Sequence, residues 1–148
     1  MAITPYLYYQ DVDAAMKFLS KAFGFRKYGR PMQTPDGKTS HAAMQFGEDI
    51  VMMGRPPMKY RNPKQLQQTT QSLYVNVGNV DKHLQRAKKA GATIIEEIED
   101  TEYGHRRYRA ADPEGHEWAF AQELRTRKSK PSKKPSTKLR KNIQRGIS

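Results

Sequence analysis

The sequence contains no cysteine among its 148 residues. Disulfides, thiolate metal sites, cysteine nucleophiles and iron–sulfur clusters are therefore excluded, and the available chemistry narrows to histidine, carboxylate, hydroxyl, lysine and arginine groups. No run approaches the roughly 20 apolar residues that a membrane-spanning helix needs, and the first residues do not have the pattern of a secretion signal. We expect a cytoplasmic protein without a membrane span, folded as one compact unit or as two half-size modules with a shared core.

Acidic residues are missing from the end of the chain. Residues 125–148 contain ten Lys or Arg and no Asp or Glu, so most of the formal net charge of +12 belongs to this tail. Its few apolar residues predict disorder. Its cations predict weak, salt-dependent binding of nucleic acid or another polyanion. The alternative is an extension that aids solubility or is simply tolerated.

The remaining residues contain a repeat. Adding 68 to a residue number maps the first half of the chain onto the second at both ends of each half, which indicates a duplicated structural unit. The matched pairs include Tyr6 with Tyr74, Val12 with Val80, Ala42 with Ala110 and Gly47 with Gly115.

Each half opens with an alternating strand and then an amphipathic helix, for which Asp11 and Asn79 are the expected N-caps and Gly24 and Gly91 the expected ends. Strands broken by turns follow, at 34–37 in the first half and at 102–105 and 112–115 in the second. The pattern predicts an α+β fold of two βαβββ modules within a domain of residues 1–124. We place module 1 at about 1–54, a connector at 55–70 and module 2 at 71–124. Neither module can bury its sheet alone, and exposed sheet edges favour a homodimer.

Two phrases of the second half point to a known family. They are YxxVxNVDxxxxxAKxAGA, beginning at Tyr74, and DPEGHEWAF, beginning at Asp112. Over residues 3–122 the chain resembles the vicinal-oxygen-chelate superfamily of glyoxalases, bleomycin-resistance proteins and extradiol dioxygenases, above all its glyoxalase-like members. The resemblance implies a curled mixed sheet that forms a ligand-binding cup.

The resemblance also implies one metal ligand from the first strand and one from the last strand of each module. These places fall on Thr4, Val51, Ser72 and Ala119. None of these side chains binds a divalent ion well. We therefore expect no metal or other cofactor, and a small-molecule binding protein rather than an enzyme. The alternative is a lyase, isomerase or dioxygenase of the same superfamily with relocated metal ligands.

Aromatic and amide side chains are the first candidates for ligand binding. By strand parity Tyr6, Tyr8, Tyr74 and Asn76 share the cup face, where aromatic rings and a few hydrogen-bonding groups suit a planar ligand. The alternative is a polar sheet face turned to water.

Charged side chains are the second set of candidates. Arg107 and Arg109 could bind a carboxylate or phosphate of the ligand, or could form cross-strand ion pairs with the Glu-rich segment 94–100. Glu117 and His105 are weak catalytic candidates. Glu117 lies 68 residues after Asp49, which suggests a symmetric pair of carboxylates, although both could simply begin their strands.

Two further expectations concern packing. His83 and His116 are expected at the surface, His83 on a solvent-facing side of its helix and His116 in a turn. Trp118 and Phe120 are expected to pack against a helix, with Ile50 and Met52 as their counterparts in module 1.

Overall fold

A computed structural model describes residues 1–124, and the predictions made for the tail at 125–148 lie outside the described residues. Within residues 1–124, no helix has the length and apolar character needed to cross a membrane. Module 1 contains β1 (Tyr6–Tyr8), α1 (Val12–Phe23), β2 (Arg26–Gln33), β3 (Thr39–Phe46) and β4 (Asp49–Gly54). A short helix, α2 (Pro63–Leu66), lies in the connector, and module 2 contains β5 (Ser72–Asn76), α3 (Val80–Lys89), β6 (Thr93–Asp100), β7 (His105–Ala111) and β8 (Glu117–Glu123).

The two long helices begin where the sequence predicts. The side chain of Asp11 accepts a hydrogen bond from the backbone N–H of Ala14, and Asn79 caps α3 in the same way. Gly24 ends α1 with a φ of 84°, a left-handed conformation that favours glycine. Sequence analysis missed α2, because a single helical turn has no hydrophobic period to detect.

Each module forms one four-stranded mixed sheet, as the α+β prediction requires. The strand orders are β1-β4-β3-β2 and β5-β8-β7-β6. The first strand of each module runs parallel to the last, and the other neighbours are antiparallel. The first strands β1 and β5 therefore lie at the edges of their sheets.

The strand register corrects the offset of 68. Tyr6 lies opposite Met52, whereas Tyr74 lies opposite Ala119, so β4 and β8 correspond at an offset of 67. The long helix differs in length between the two modules, and so does the turn before the last strand. Together these differences shift the alignment of β4 with β8 by one residue. Because side chains alternate along a strand, this shift reverses the face. The counterpart of Ala119 is Met52, and the expectation of Val51 was wrong because Val51 is buried on the core side.

The same correction applies to two other expected pairs. Trp118 and Phe120 are buried against the helices as expected, but their counterparts are Val51 and Met53, which are buried too, rather than Ile50 and Met52. Asp49 and Glu117 are not symmetric, since Asp49 pairs with Phe46 on the core side of β3 while Glu117 pairs with Ser72 on the other side.

The core joins the two modules. The ring of Phe23, at the end of α1, lies 4.6 Å from that of Phe120 and 5.8 Å from that of Trp118 in module 2. Helices α1 and α3 also contact each other. Each fully buried aromatic side chain of this kind contributes about 2 kcal/mol of stability, so neither module buries its core without the other.

The phrase DPEGHEW forms a polar joint between the modules. The Asp112 carboxylate accepts hydrogen bonds from the Tyr9 hydroxyl at 2.6 Å and from the Trp118 indole at 3.2 Å. The Glu114 carboxylate accepts from the backbone N–H groups of Gln10, at 2.8 Å, and Asp11, at 2.9 Å. Burial raises the pKa of Asp112, and burial together with the adjacent Asp112 raises the pKa of Tyr9, so that Tyr9 remains the donor. The family phrase is therefore structural here.

Candidate ligand-binding site

The outer face of each sheet is the face turned away from the helices. In module 1 this face contains two rows of cross-strand neighbours that run across all four strands. The first row contains Tyr6, Met52, Ala43 and Tyr28, and the second contains Tyr8, Gly54, His41 and Met32. The outer strands carry large side chains in both rows, and each row has one small residue on an inner strand, Ala43 in the first and Gly54 in the second. The face carries no formal charge in these rows.

The tyrosines on this face are unusually exposed. Tyr6 and Tyr8 expose 46% and 50% of their surface, and Tyr28 and Met32 are exposed as well. Exposed apolar side chains that form a continuous patch mark an interaction surface more often than isolated ones do.

Module 2 presents a charged version of the same two rows. The first contains Tyr74, Ala119, Arg109 and Glu96, and the second contains Asn76, Ala121, Arg107 and Glu99. The Arg109–Glu96 pair occupies the positions of Ala43 and Tyr28 in module 1. The Arg107–Glu99 pair occupies those of His41 and Met32. The two outer faces therefore share a backbone plan but differ in chemistry.

A tyrosine–histidine pair lies on each outer face. The Tyr6 hydroxyl is 3.0 Å from Nδ1 of His41, and the Tyr74 hydroxyl is 2.7 Å from Nδ1 of His105. Burial and a hydrogen bond with the neighbouring Tyr103 raise the pKa of Tyr74 to about 12, so this phenol stays protonated at neutral pH. His105 begins β7 and contacts the predicted ligand-binding residue Tyr74, rather than standing in a separate loop.

Glycine at position 54 makes room for the first of these pairs. A Cβ atom built on Gly54 would overlap the Tyr6 hydroxyl and lie 3.1 Å from the carbonyl oxygen of Ser40. The Tyr6 ring thus lies over the glycine, which positions its hydroxyl for His41. The outer-face residues His41, Gly54, Met52, Tyr28 and Met32 were not predicted from the sequence. The alternation along β3 does place His41 and Ala43 on one side and the buried Ala42 and Met44 on the other.

The arginines of module 2 form the cross-strand ion pairs that sequence analysis gave as one of two readings. Arg109 contacts Glu117 at 2.8 Å and Glu96 at 3.4 Å. Arg107 contacts Glu96 at 3.3 Å and Glu99 at 3.4 Å. These contacts hold both guanidinium groups on the outer face. Glu117 is accordingly bound to an arginine, and it does not contact the other catalytic candidate, His105, through a hydrogen bond.

The remaining histidines are structural. His83 is not solvent-facing as expected, since its Nε2 lies 2.9 Å from the carbonyl oxygen of Phe23 and its Nδ1 lies 2.6 Å from the Tyr108 hydroxyl. Burial lowers its pKa. His116 lies in the predicted turn but is buried, and its Nε2 bonds the carbonyl oxygen of Tyr8 at 2.8 Å. Both rings connect module 2 to module 1.

The residues at the implied metal positions do not fit a divalent metal ion. With the corrected register these positions are Thr4, Met52, Ser72 and Ala119. They supply two hydroxyls, a thioether and a methyl group, whereas divalent ions bind carboxylates and imidazoles. In the part of the chain that the structure describes, no three His, Cys, Asp or Glu side chains are grouped so that they could hold a metal ion.

These features agree with comparisons to known proteins. The chain belongs to the Glyoxalase/Bleomycin resistance protein/Dioxygenase superfamily, whose family model matches residues 3–120. The uncharacterized protein Mb0911c of Mycobacterium bovis is 37% identical over 129 residues, which cover 84% of this chain and 84% of that protein.

Solved structures share the fold. TioX from Micromonospora sp. ML1 has a TM-score of 0.68 and 34% identity, covering 84% of this chain and 99% of that one. A glyoxalase-related enzyme from Fulvimarina pelagi has a TM-score of 0.63 at 18% identity, covering 83% of this chain and 88% of that one, and this similarity concerns the fold alone.

Proposed function

We propose that this protein binds a small aromatic molecule with polar substituents on the outer faces of its sheets, without a metal ion. The observation that carries the proposal is the pair of aromatic and thioether rows in module 1. These rows leave large apolar side chains in water on the sheet face where the family resemblance implies a ligand-binding cup. The implied metal positions beside them offer no suitable donor set.

The two faces suggest how such a ligand is held. Planar rings stack on Tyr6, Tyr8 and Tyr74, and a methionine such as Met52 adapts to ligand shape because its side chain is flexible. Polar substituents meet the Asn76 amide and the guanidinium groups of module 2. A carboxylate or phosphate on the ligand would compete with Glu96, Glu99 and Glu117 for those groups.

A cytoplasmic homodimer is part of the proposal. Strands β1 and β5 lie at sheet edges with backbone groups available for pairing. A second copy that covers these edges would close the cup by placing the neutral rows of one chain near the charged rows of the other.

Calorimetric titration with metal-free bleomycin and with naphthoate tests the proposal. We expect measurable binding of at least one probe to protein purified without chelators. The Tyr6→Ala and Tyr74→Ala variants should each weaken binding roughly fivefold to tenfold, because each removes a stacking surface. Ile95→Ala removes an exposed apolar side chain outside the rows and serves as the matched control with unchanged affinity.

Elemental analysis of the same preparation tests whether the protein contains a metal ion. A near-stoichiometric content of nickel, zinc, iron or manganese, removed together with probe binding by a chelator, would overturn the metal-free proposal. Probe affinities that do not change in either tyrosine variant would overturn the assignment of the outer faces.

A further inference from the structure

A cavity of ≈ 390 Å³ lies between the modules, beside the start of β4 and along β5. We call it the seam cavity. It reaches the edge of the outer face at Thr4, Tyr74 and Asn76, and the N-terminal residues 2–5 form part of its wall. Its core-side wall includes Phe25, Phe46, Leu73, Val75 and Trp118.

These walls are apolar and only partly covered. Leu73 and Val75 point toward the core side of β5 yet remain half-exposed, because neither helix covers this part of the seam. Trp118, which is 1% exposed, packs its ring 5.4 Å from that of Phe25. A volume of this size falls within the roughly 300–1,000 Å³ of small-molecule sites, and an apolar group that entered would gain by leaving water.

Two carboxylates stand at the mouth of the cavity. Glu48 lies in the turn between β3 and β4, and Asp49 is the first residue of β4; both are exposed and line the cavity. Among the described residues neither is in an ion pair, whereas Glu96, Glu99 and Glu117 are each paired with an arginine. No Lys, Arg or His side chain lines the cavity. Within residues 1–124 the mouth is therefore anionic, and no lysine, arginine or histidine side chain is paired with it.

We propose that the seam cavity is a second binding site, for an amine that carries an aromatic or branched aliphatic tail. The tail packs against Phe46, Val75 and Trp118. The ammonium group contacts the Glu48 and Asp49 carboxylates and remains exposed to water. An apolar pocket with a few charged groups at its entrance recognises this amphiphilic class. The cavity shares Tyr74 and Asn76 with the outer face but is not lined by Tyr6, so the two proposals can be tested separately.

Fluorescence of Trp118, the only tryptophan of the chain, reports occupancy directly. We would titrate the full chain with phenylbutylamine, phenylbutanol and phenylbutyrate, which share one tail and differ in charge. The amine should bind about threefold to tenfold more tightly than the alcohol, since exposed ion pairs contribute up to about 1 kcal/mol each. The butyrate should bind most weakly, and added salt should reduce the preference for the amine. Equal affinities for amine and butyrate would contradict the proposal.

The double variant Glu48→Gln with Asp49→Asn tests the mouth. It keeps the shape of both side chains and should lower the amine affinity to that of the alcohol. Glu102→Gln removes another exposed carboxylate, in the turn between β6 and β7 and outside the cavity, and should change nothing. An amine affinity that survives the double variant would show that the ammonium group is held elsewhere.

Filling the cavity tests its location. Val75→Phe should weaken all three probes by about tenfold or more, since it removes the space for the tail; Val75→Leu provides a milder filling if the larger side chain impairs folding. Tyr6→Ala, which alters the outer face, should leave amine binding unchanged, so failure of this site and failure of the outer-face proposal remain distinguishable. Undiminished binding to both Val75 variants would place the probes outside the seam cavity.

Discussion

His83 shows how a polar side chain can hold two modules together. Its Nε2 carries the proton, because the Phe23 carbonyl oxygen can only accept, and its Nδ1 accepts from the Tyr108 hydroxyl. The ring is thus neutral and satisfied on both sides. Sequence analysis placed it toward solvent because helical periodicity predicts a polar residue on the water side, and only the contact between α1 and module 2 reverses that position.

Acid should therefore weaken the fold through His83. Its pKa is lowered in the folded protein, chiefly by burial, so the unfolded chain binds a proton more readily. The stability that the neutral ring contributes is present above the ordinary histidine pKa of about 6.5 and is lost as the pH falls through the folded value. Urea unfolding between about pH 7.5 and pH 5.5 should show a larger loss of free energy in the wild type than in His83→Gln.

The reverse order, with the glutamine variant more sensitive to acid, would contradict this assignment. At neutral pH His83→Ala should cost roughly 2 kcal/mol or more, because it leaves a buried hydroxyl and a buried carbonyl group without partners.

The Gly54→Ala variant tests whether the position of the Tyr6 ring depends on the glycine beneath it. The new methyl group would overlap the Tyr6 hydroxyl, so the ring must move away from His41. We expect a loss of about 1–3 kcal/mol in the free energy of unfolding, together with weaker probe binding on the outer face.

Gly78→Ala is the matched control. Nothing lies within 4 Å of a Cβ atom at Gly78, and the variant should unfold within about 0.5 kcal/mol of the wild type. A Gly54→Ala protein as stable as this control would show that Tyr6 does not depend on the glycine.

At the scale of elements, the short hairpin at 112–115 positions two other segments, the start of α1 and the connector. The Glu114 carboxylate accepts two backbone N–H groups at the start of α1 and the side-chain amide of Asn62. The backbone N–H of Lys64 bonds the Glu114 carbonyl oxygen at 2.9 Å. One hairpin of module 2 therefore fixes both the first helix and the connector.

Glu114→Ala should destabilise the protein by about 1–2 kcal/mol, because two exposed backbone donors at the start of α1 exchange a charged acceptor for water. Glu114→Gln keeps one acceptor oxygen and should cost less than the alanine variant. Thermal and urea unfolding of both variants measure the difference. Equal losses would mean that the side chain acts only by filling space.

The helices and hairpins were largely predictable from the sequence, whereas the register of the strands was not. The caps Asp11 and Asn79 and the turn glycines reveal helices and hairpins through local chemistry. A constant offset could not reveal that the offset between β4 and β8 is one residue smaller than the offset between β1 and β5. The last strands share too few identical residues to fix their alignment. That single-residue difference decides whether Val51 or Met52 lies on the outer face. Tyr6, Tyr8 and Tyr74 were therefore identified from the sequence, whereas Tyr28 and the other outer-face residues of module 1 were not.

At the scale of the whole molecule, charge is divided unevenly. Residues 1–124 carry 17 basic and 15 acidic side chains, and residues 125–148 carry ten basic ones. Any strong attraction for polyanions should therefore belong to the tail. We expect the full chain to bind duplex DNA weakly, with a salt dependence whose logarithmic slope approaches about −9 if all ten cations engage phosphates.

Deleting residues 125–148 should abolish this binding, measured by fluorescence anisotropy at several salt concentrations, and should leave the melting temperature unchanged. DNA affinity that persists in the shortened chain would assign the attraction to the folded residues instead.

The joint between Tyr9 and Asp112 spans 103 positions of the chain. During synthesis the first strand leaves the ribosome long before the hairpin that completes it, since translation adds roughly 5–20 residues per second. Until Asp112 and Glu114 emerge, the N–H groups of Gln10 and Asp11 and the apolar side of module 1 have only water as a partner. Contacts of such long range slow folding, so the nascent chain is most open to aggregation or to chaperones just before its last strand is made.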